Sequence, residues 1–149
     1  MAQIVEKTGD PASRHRHSDI VKFPVRIGAL MVLLSLPAHL FLDERTSVAL
    51  ASITLALIGG AYIGFGAADG NARVLWAELA VALLFGLAAF LGLIWHWAFL
   101  PLGLALHALW DILHHKSRRL ASVPNWYILF CVAFDLLAAA FFILLYGVF

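Results

Sequence analysis

The chain has 149 residues, of which 63% are hydrophobic and only 13% charged, with a mean hydropathy of +0.92. A soluble domain of this length carries nearer a quarter charged residues, so the composition excludes a soluble globular fold and points to an integral membrane protein forming one bundle. The net charge of +1 says nothing about nucleic acid, no nucleic-acid partner is expected, and the few basic residues sit at the ends of apolar segments as membrane topology requires; a single cysteine, Cys131, excludes an internal disulfide.

Residues 1–26 read as a polar tail containing Arg14-His15-Arg16-His17. They place the first apolar run too late for a cleaved signal peptide, so that run reads as a retained signal anchor. Residues 27–149 read as the membrane bundle. Apolar runs fall at Ile27–Leu42, Val48–Ala68, Val74–Trp95, Ala98–His115 and Trp126–Phe149. A spanning helix needs roughly 20 residues. The second, third and fifth runs meet this length, and the first and fourth are short. The second run carries Gly59, Gly60, Gly64 and Gly66. Gly60 and Gly64 have the small-xxx-small spacing that lets helices approach closely, either within the chain or between two copies in a homo-oligomer. Asp69-Gly70 reads as a turn. Trp95-His96-Trp97 followed by Pro101 breaks the third run from the fourth, since tryptophan favours the interface and proline suits a first helical turn.

The expected fold is therefore an all-α bundle of five transmembrane helices. The alternative is four spans plus one re-entrant or tilted helix. Charge supports five: Lys7, Arg14, Arg16, Lys22, Arg26, Arg73, Lys116, Arg118 and Arg119 then share one side, and only Arg45 falls on the other. The positive-inside rule makes the shared side cytoplasmic, with the N-terminus inside and the C-terminus outside an inner membrane.

Within the fourth run lies His107-Ala-Leu-Trp110-Asp111-Ile-Leu-His114-His115. Ionisable groups at membrane depth face a protein interior, pair with one another and mark function. At about 100° per residue, His107, Asp111 and His114 fall within roughly 60°, and His115 widens the arc to roughly 100°. Counted at about 1.5 Å per residue from the basic end, His107 lies roughly 13 Å deep, Asp111 roughly 7 Å, Asp135 roughly 15 Å and Glu78 roughly 7 Å. Three helices thus bring acids and imidazoles to matching depths. Imidazole with carboxylate is the usual ligand set for zinc, iron or manganese. His107, Asp111, His114 and His115 are the expected metal ligands. Glu78 and Asp135 are expected as further ligands, hydrogen-bond partners or acid/base groups. A structural hydrogen-bond network and a proton or ion path use the same residues. Cys131, one turn before Asp135, reads as a small buried thiol, and His39 and His96 read as interfacial histidines far from the cluster.

Tyr62-Ile-Gly64-Phe-Gly66, Asp69-Gly70, Glu78, His107-x-x-Trp110-Asp111-x-x-His114-His115 and Trp126-Tyr127 through Cys131 to Asp135 resemble an uncharacterised family of small bacterial membrane proteins. The resemblance covers roughly the last four helices and implies no activity. More loosely, Asp111-x-x-His114-His115 is similar to the histidine boxes of membrane di-iron hydroxylases and desaturases. The few histidines here leave a mononuclear or carboxylate-rich site. A likeness to intramembrane zinc hydrolases implies a metal-bound water nucleophile, its pKa lowered toward about 7, with Glu78 as general base.

The leading expectation is a metal-binding membrane protein with a cytoplasm-facing site and a divalent transition metal, zinc or iron. One form of it is a metalloenzyme acting on a lipid or other apolar substrate. Two other classes stay open: a small ion- or proton-coupled transporter, and an accessory subunit of a membrane complex.

Overall fold

The computed structural model describes the backbone of residues 11–117 and 119–148, with side chains from residue 22 onward except that of Lys116. The side chains of Arg14, His15, Arg16 and His17, and all of Lys7 and Arg118, lie outside the described residues. Five helices follow in order: α1 (Pro11–Phe41), α2 (Glu44–Asp69), α3 (Ala72–Ile94), α4 (Phe99–Lys116) and α5 (Asn125–Gly147).

Local chemistry sets the boundaries. Asp43 caps α2, its carboxylate accepting from the Thr46 N–H at 3.1 Å and the Thr46 hydroxyl at 2.6 Å. These bonds hold the exposed Asp43 carboxyl below its usual pKa. Gly70 ends α2 at φ +76, a left-handed conformation in which a Cβ is strained. Asn71 caps α3 by accepting the Arg73 N–H at 3.0 Å. The expected break after Trp95 is present, with His96 Nδ1 accepting the Ala98 N–H at 3.1 Å. Both caps start their helices ahead of the apolar runs, and α1 starts well upstream at Pro11, within the polar segment.

The helices align in register. Across α2 and α3, Gly59 meets Phe85 and Gly66 meets Glu78, an antiparallel pair. Across α3 and α4, Gly92 meets Leu100, Ala88 meets Gly103 and Glu78 meets His114, again antiparallel. α2 runs parallel to α4, with Leu55 on Gly103 and Tyr62 on Asp111. α1 runs parallel to α5, with Gly28 against Phe130 and Phe134 and His39 against Phe142. The α2–α3 and α4–α5 connections therefore share one end of the bundle with Arg26, Arg73 and Arg119. Arg45 lies at the other.

Large apolar side chains point outward, among them Leu34, Leu57, Leu83 and Leu84, while alanines, polar groups and a few large residues fill the interior. Water would not tolerate that exterior, and a bilayer requires it. Four helices are long and apolar enough to cross a membrane: α1 from Lys22, α2, α3 and α5. α4 is not among them, since it has 18 residues and carries the His/Asp run. It nonetheless lies along α3 from Leu100 to His114, so it traverses the bundle as a fifth full member.

Close packing at Gly66 positions the interior: a Cβ there would stand 3.0–3.1 Å from the Glu78 side chain and 3.1 Å from the Leu75 backbone, whereas a Cβ at Gly60 or Gly64 would meet nothing within 4 Å. Gly66→Ala is therefore expected to lower the thermal midpoint in detergent, because the Leu75 backbone cannot yield. Gly60→Ala is expected to hold or raise it through better helix propensity. Equal midpoints for the two variants would contradict this packing.

Candidate metal centre

The spacing i, i+4, i+7 places His107, Asp111 and His114 on one inward face of α4, at 0%, 0% and 6% exposure. His115, one position on, is exposed and turned away from that face. The four-residue arc expected from the sequence therefore closes to three. Glu78 from α3 and Asp135 from α5 reach the same interior and are fully buried. Together these residues form two adjoining clusters.

The deeper cluster joins His107, Asp111 and Asp135. His107 Nδ1 lies 2.7 Å from Asp135 Oδ2 and 3.3 Å from Asp111 Oδ2. The ring has one proton to give on that side, and the shorter contact takes it. Asp111 Oδ1 accepts the hydroxyl of Tyr62 from α2, a fully buried phenol. Three atoms then remain buried without a hydrogen-bond partner: His107 Nε2, Asp111 Oδ2 and Asp135 Oδ1. Phe85 and Tyr62 hold the His107 ring edge-on, at centroid distances of 4.9 and 5.4 Å.

The second cluster sits nearer the basic end. His114 Nδ1 faces the Trp110 carbonyl at 2.9 Å, so Nδ1 carries hydrogen. His114 Nε2 lies 2.8 Å from Glu78 Oε1. Glu78 also accepts the Ala121 N–H at 3.2 Å and the Trp110 indole N–H at 3.2 Å. Glu78 has three hydrogen-bond partners, and its carboxyl group is matched by one imidazole. Glu78 thus latches α3 to α4 and to the connection before α5.

The deeper cluster is not matched in this way. Two carboxyl groups, Asp111 and Asp135, face the single imidazole of His107, all three at zero exposure. Isolated buried charge is among the costliest arrangements in a protein. One ligand atom from each of His107, Asp111 and Asp135 lies within 4.8 Å of the other two. The set can accept a divalent cation, which would displace the Nδ1 proton or use the free Nε2 lone pair and would balance both carboxylates.

Tyr62 is the participant that depth counting overlooked. It lies seven residues from the Asp69 end of α2, a depth of about 10 Å, between those of Asp111 and His107. Cys131 is buried one turn before Asp135, as a small packed thiol would be. His96 and Trp126 are exposed. Asp69 lines a cavity at the basic end with Arg73 and Arg119, apart from the cluster.

A model of a family of unknown function, DUF6010, matches residues 19–147. No curated protein and no solved structure matches the chain.

Adjacent histidines offer a sharp contrast. His114→Ala leaves the buried Glu78 carboxylate unpaired and is expected to cost about 3–5 kcal/mol of stability. His115→Ala is expected to stay within about 0.5 kcal/mol of the parent. Unfolding in detergent measures both, and a large effect at His115 would contradict the placement.

Proposed function

The chain belongs to DUF6010, a family of unknown function, and from the chemistry of its buried site we propose that it is an integral membrane protein that binds one divalent transition metal, zinc or iron, through His107, Asp111 and Asp135. The observation that carries this reading is the convergence of two carboxylates on one imidazole at zero exposure, with three polar atoms left unpartnered. A divalent ion cancels both negative charges and engages those atoms. Neutral imidazole with carboxylate suits zinc, iron and manganese. Tyr62, bonded to Asp111, orients that ligand in the way hydrogen-bond partners commonly do around metals.

Three protein ligands leave a coordination position for another molecule, as catalytic sites do. A bound metal there would supply Lewis-acid polarisation. A hydrolase or oxidoreductase acting on a lipid or other apolar substrate is the extension of this reading. It requires the bundle to open, since none of the three residues is exposed. Glu78 is engaged by three donors, so in this reading it serves as a latch, and it becomes a base only if that latch breaks. Asp135 serves as ligand. A transporter is less well supported: Leu55, Phe85, Leu100 and Leu104 pack between the cluster and the far end of the bundle. The proposed topology places the basic end, and the site near it, on the cytoplasmic side of the inner membrane. The open α2 face at Gly60 and Gly64 is the proposed contact for a second copy.

Elemental analysis of protein purified without chelators tests the proposal. One metal per chain is expected in the parent, with loss in both His107→Ala and Asp111→Ala. Metal-free parent protein would overturn it. Tyr62→Phe is expected to retain the site but to weaken metal affinity about 10–100-fold, read by competition with a chromophoric chelator. An unchanged affinity would remove Tyr62 from the site.

A further inference from the structure

A second buried polar group lies at the end of the bundle opposite the basic one. Ser47 of α2 is fully buried and His39 of α1 is 8% exposed. The Tyr146 hydroxyl, from α5, donates to Ser47 Oγ at 2.5 Å. The Ser47 proton is then free for His39 Nδ1, 2.8 Å away. This relay fixes the imidazole tautomer: Nδ1 accepts, and the ring proton resides on Nε2. Phe142 meets the ring edge-on at 4.9 Å, and Phe141 packs at 5.9 Å, so the ring plane is held as well.

His39 also lines a cavity of about 140 Å³, together with Val32, Ala51, Leu104, Ala138 and Phe142. The space is close to the roughly 150 Å³ that holds a benzene-sized molecule. Around its one ring donor the wall is mostly apolar, and it carries no charged group. Access is lateral: α1 packs along α5 and hardly touches α2, and the lining includes the partly exposed Leu50 and Thr54. The bilayer itself can therefore fill the cavity. A larger side chain at Ala51 or Ala138 would have closed it, and an empty apolar cavity is destabilising.

We propose that this cavity is a second binding site, taking an apolar molecule that presents a neutral carbonyl oxygen to His39 Nε2–H. A donor held in apolar surroundings needs an acceptor. A charged headgroup finds no counter-charge here. His39 lies two residues before the end of α1, at the edge of the hydrocarbon layer. Two sources carry the required chemistry at that depth: the ester of a membrane lipid and the ring carbonyl of a quinone. The site is independent of the metal reading, shares no residue with it and faces the other leaflet.

The test uses the full chain in phosphatidylcholine nanodiscs and three photoreactive probes of equal length: a diacyl ester, an isoprenoid-tailed benzoquinone and a hydrocarbon without carbonyl. Cross-links are mapped by mass spectrometry. One carbonyl probe is expected to label the segments around Val32, Ala51 or Ala138 well above the hydrocarbon, and which one does so identifies the source. That labelling is expected to fall about tenfold in His39→Phe, the effect of losing a good hydrogen bond, and to vanish in Ala138→Phe, which fills the space while leaving the relay intact. Labelling equal to the hydrocarbon's, or indifferent to both substitutions, overturns the proposal. Metal content and unfolding midpoint of each variant confirm that the bundle has folded.

Discussion

Two carboxyl groups and one imidazole meet in a fully buried layer of this bundle, and the remaining architecture can be read as accommodating them. Glu78 and His114, one layer nearer the basic end, are paired one to one, with further donors to Glu78. Asp111 and Asp135 have a single proton donor each, Tyr62 and His107, and retain unpartnered oxygens. In an apolar medium such a deficit is met by protons or by a cation. A divalent metal meets it in one step, and the ligand spacing already suits one. The same demand accounts for the polar residues on the inward face of α4, which is not among the helices long and apolar enough to cross a membrane.

Positioning depends on how closely the backbones approach. Gly66 brings α2 against Glu78, and Gly103 brings α4 against Leu55, so that Tyr62 and Asp111 arrive at one level. Leu55, Phe85, Leu100 and Leu104 then fill the middle of the bundle and separate the acidic cluster from the His39–Ser47–Tyr146 relay. The molecule is thus polar at two depths and dry between them. That division favours two distinct sites over a single conducting path.

Much of this was legible in the sequence because helices turn periodicity and rise into position. The broken third run, the five helices and the gathering of basic residues at one end all follow from run length, tryptophan and charge. Counting depth put Asp135 level with His107, and the two lie 2.7 Å apart. It put Glu78 level with Asp111, but Glu78 bonds His114 about one turn nearer the end, because its long side chain reaches toward Ala121 and Trp110 as well. The arc that included His115 was too wide: the helix turns that ring outward, where it is exposed. Tyr62 is not singled out by the sequence because a phenol in an apolar helix carries no charge that must be paired. The partners of His39 were out of reach for a different reason. Ser47 of α2 and Tyr146 of α5 are separated by 99 residues, and only the assembled bundle brings both to His39 of α1.

The central claim is that the two carboxylates and His107 bind a divalent metal directly. X-ray absorption at the edge of the metal retained by the purified protein tests it most closely. A nearest shell of nitrogen and oxygen alone at about 2.0–2.2 Å, with the outer scattering of an imidazole that disappears in His107→Ala, is the predicted result. A sulfur shell at about 2.3 Å, which would implicate Cys131, or a spectrum unchanged by His107→Ala would contradict it.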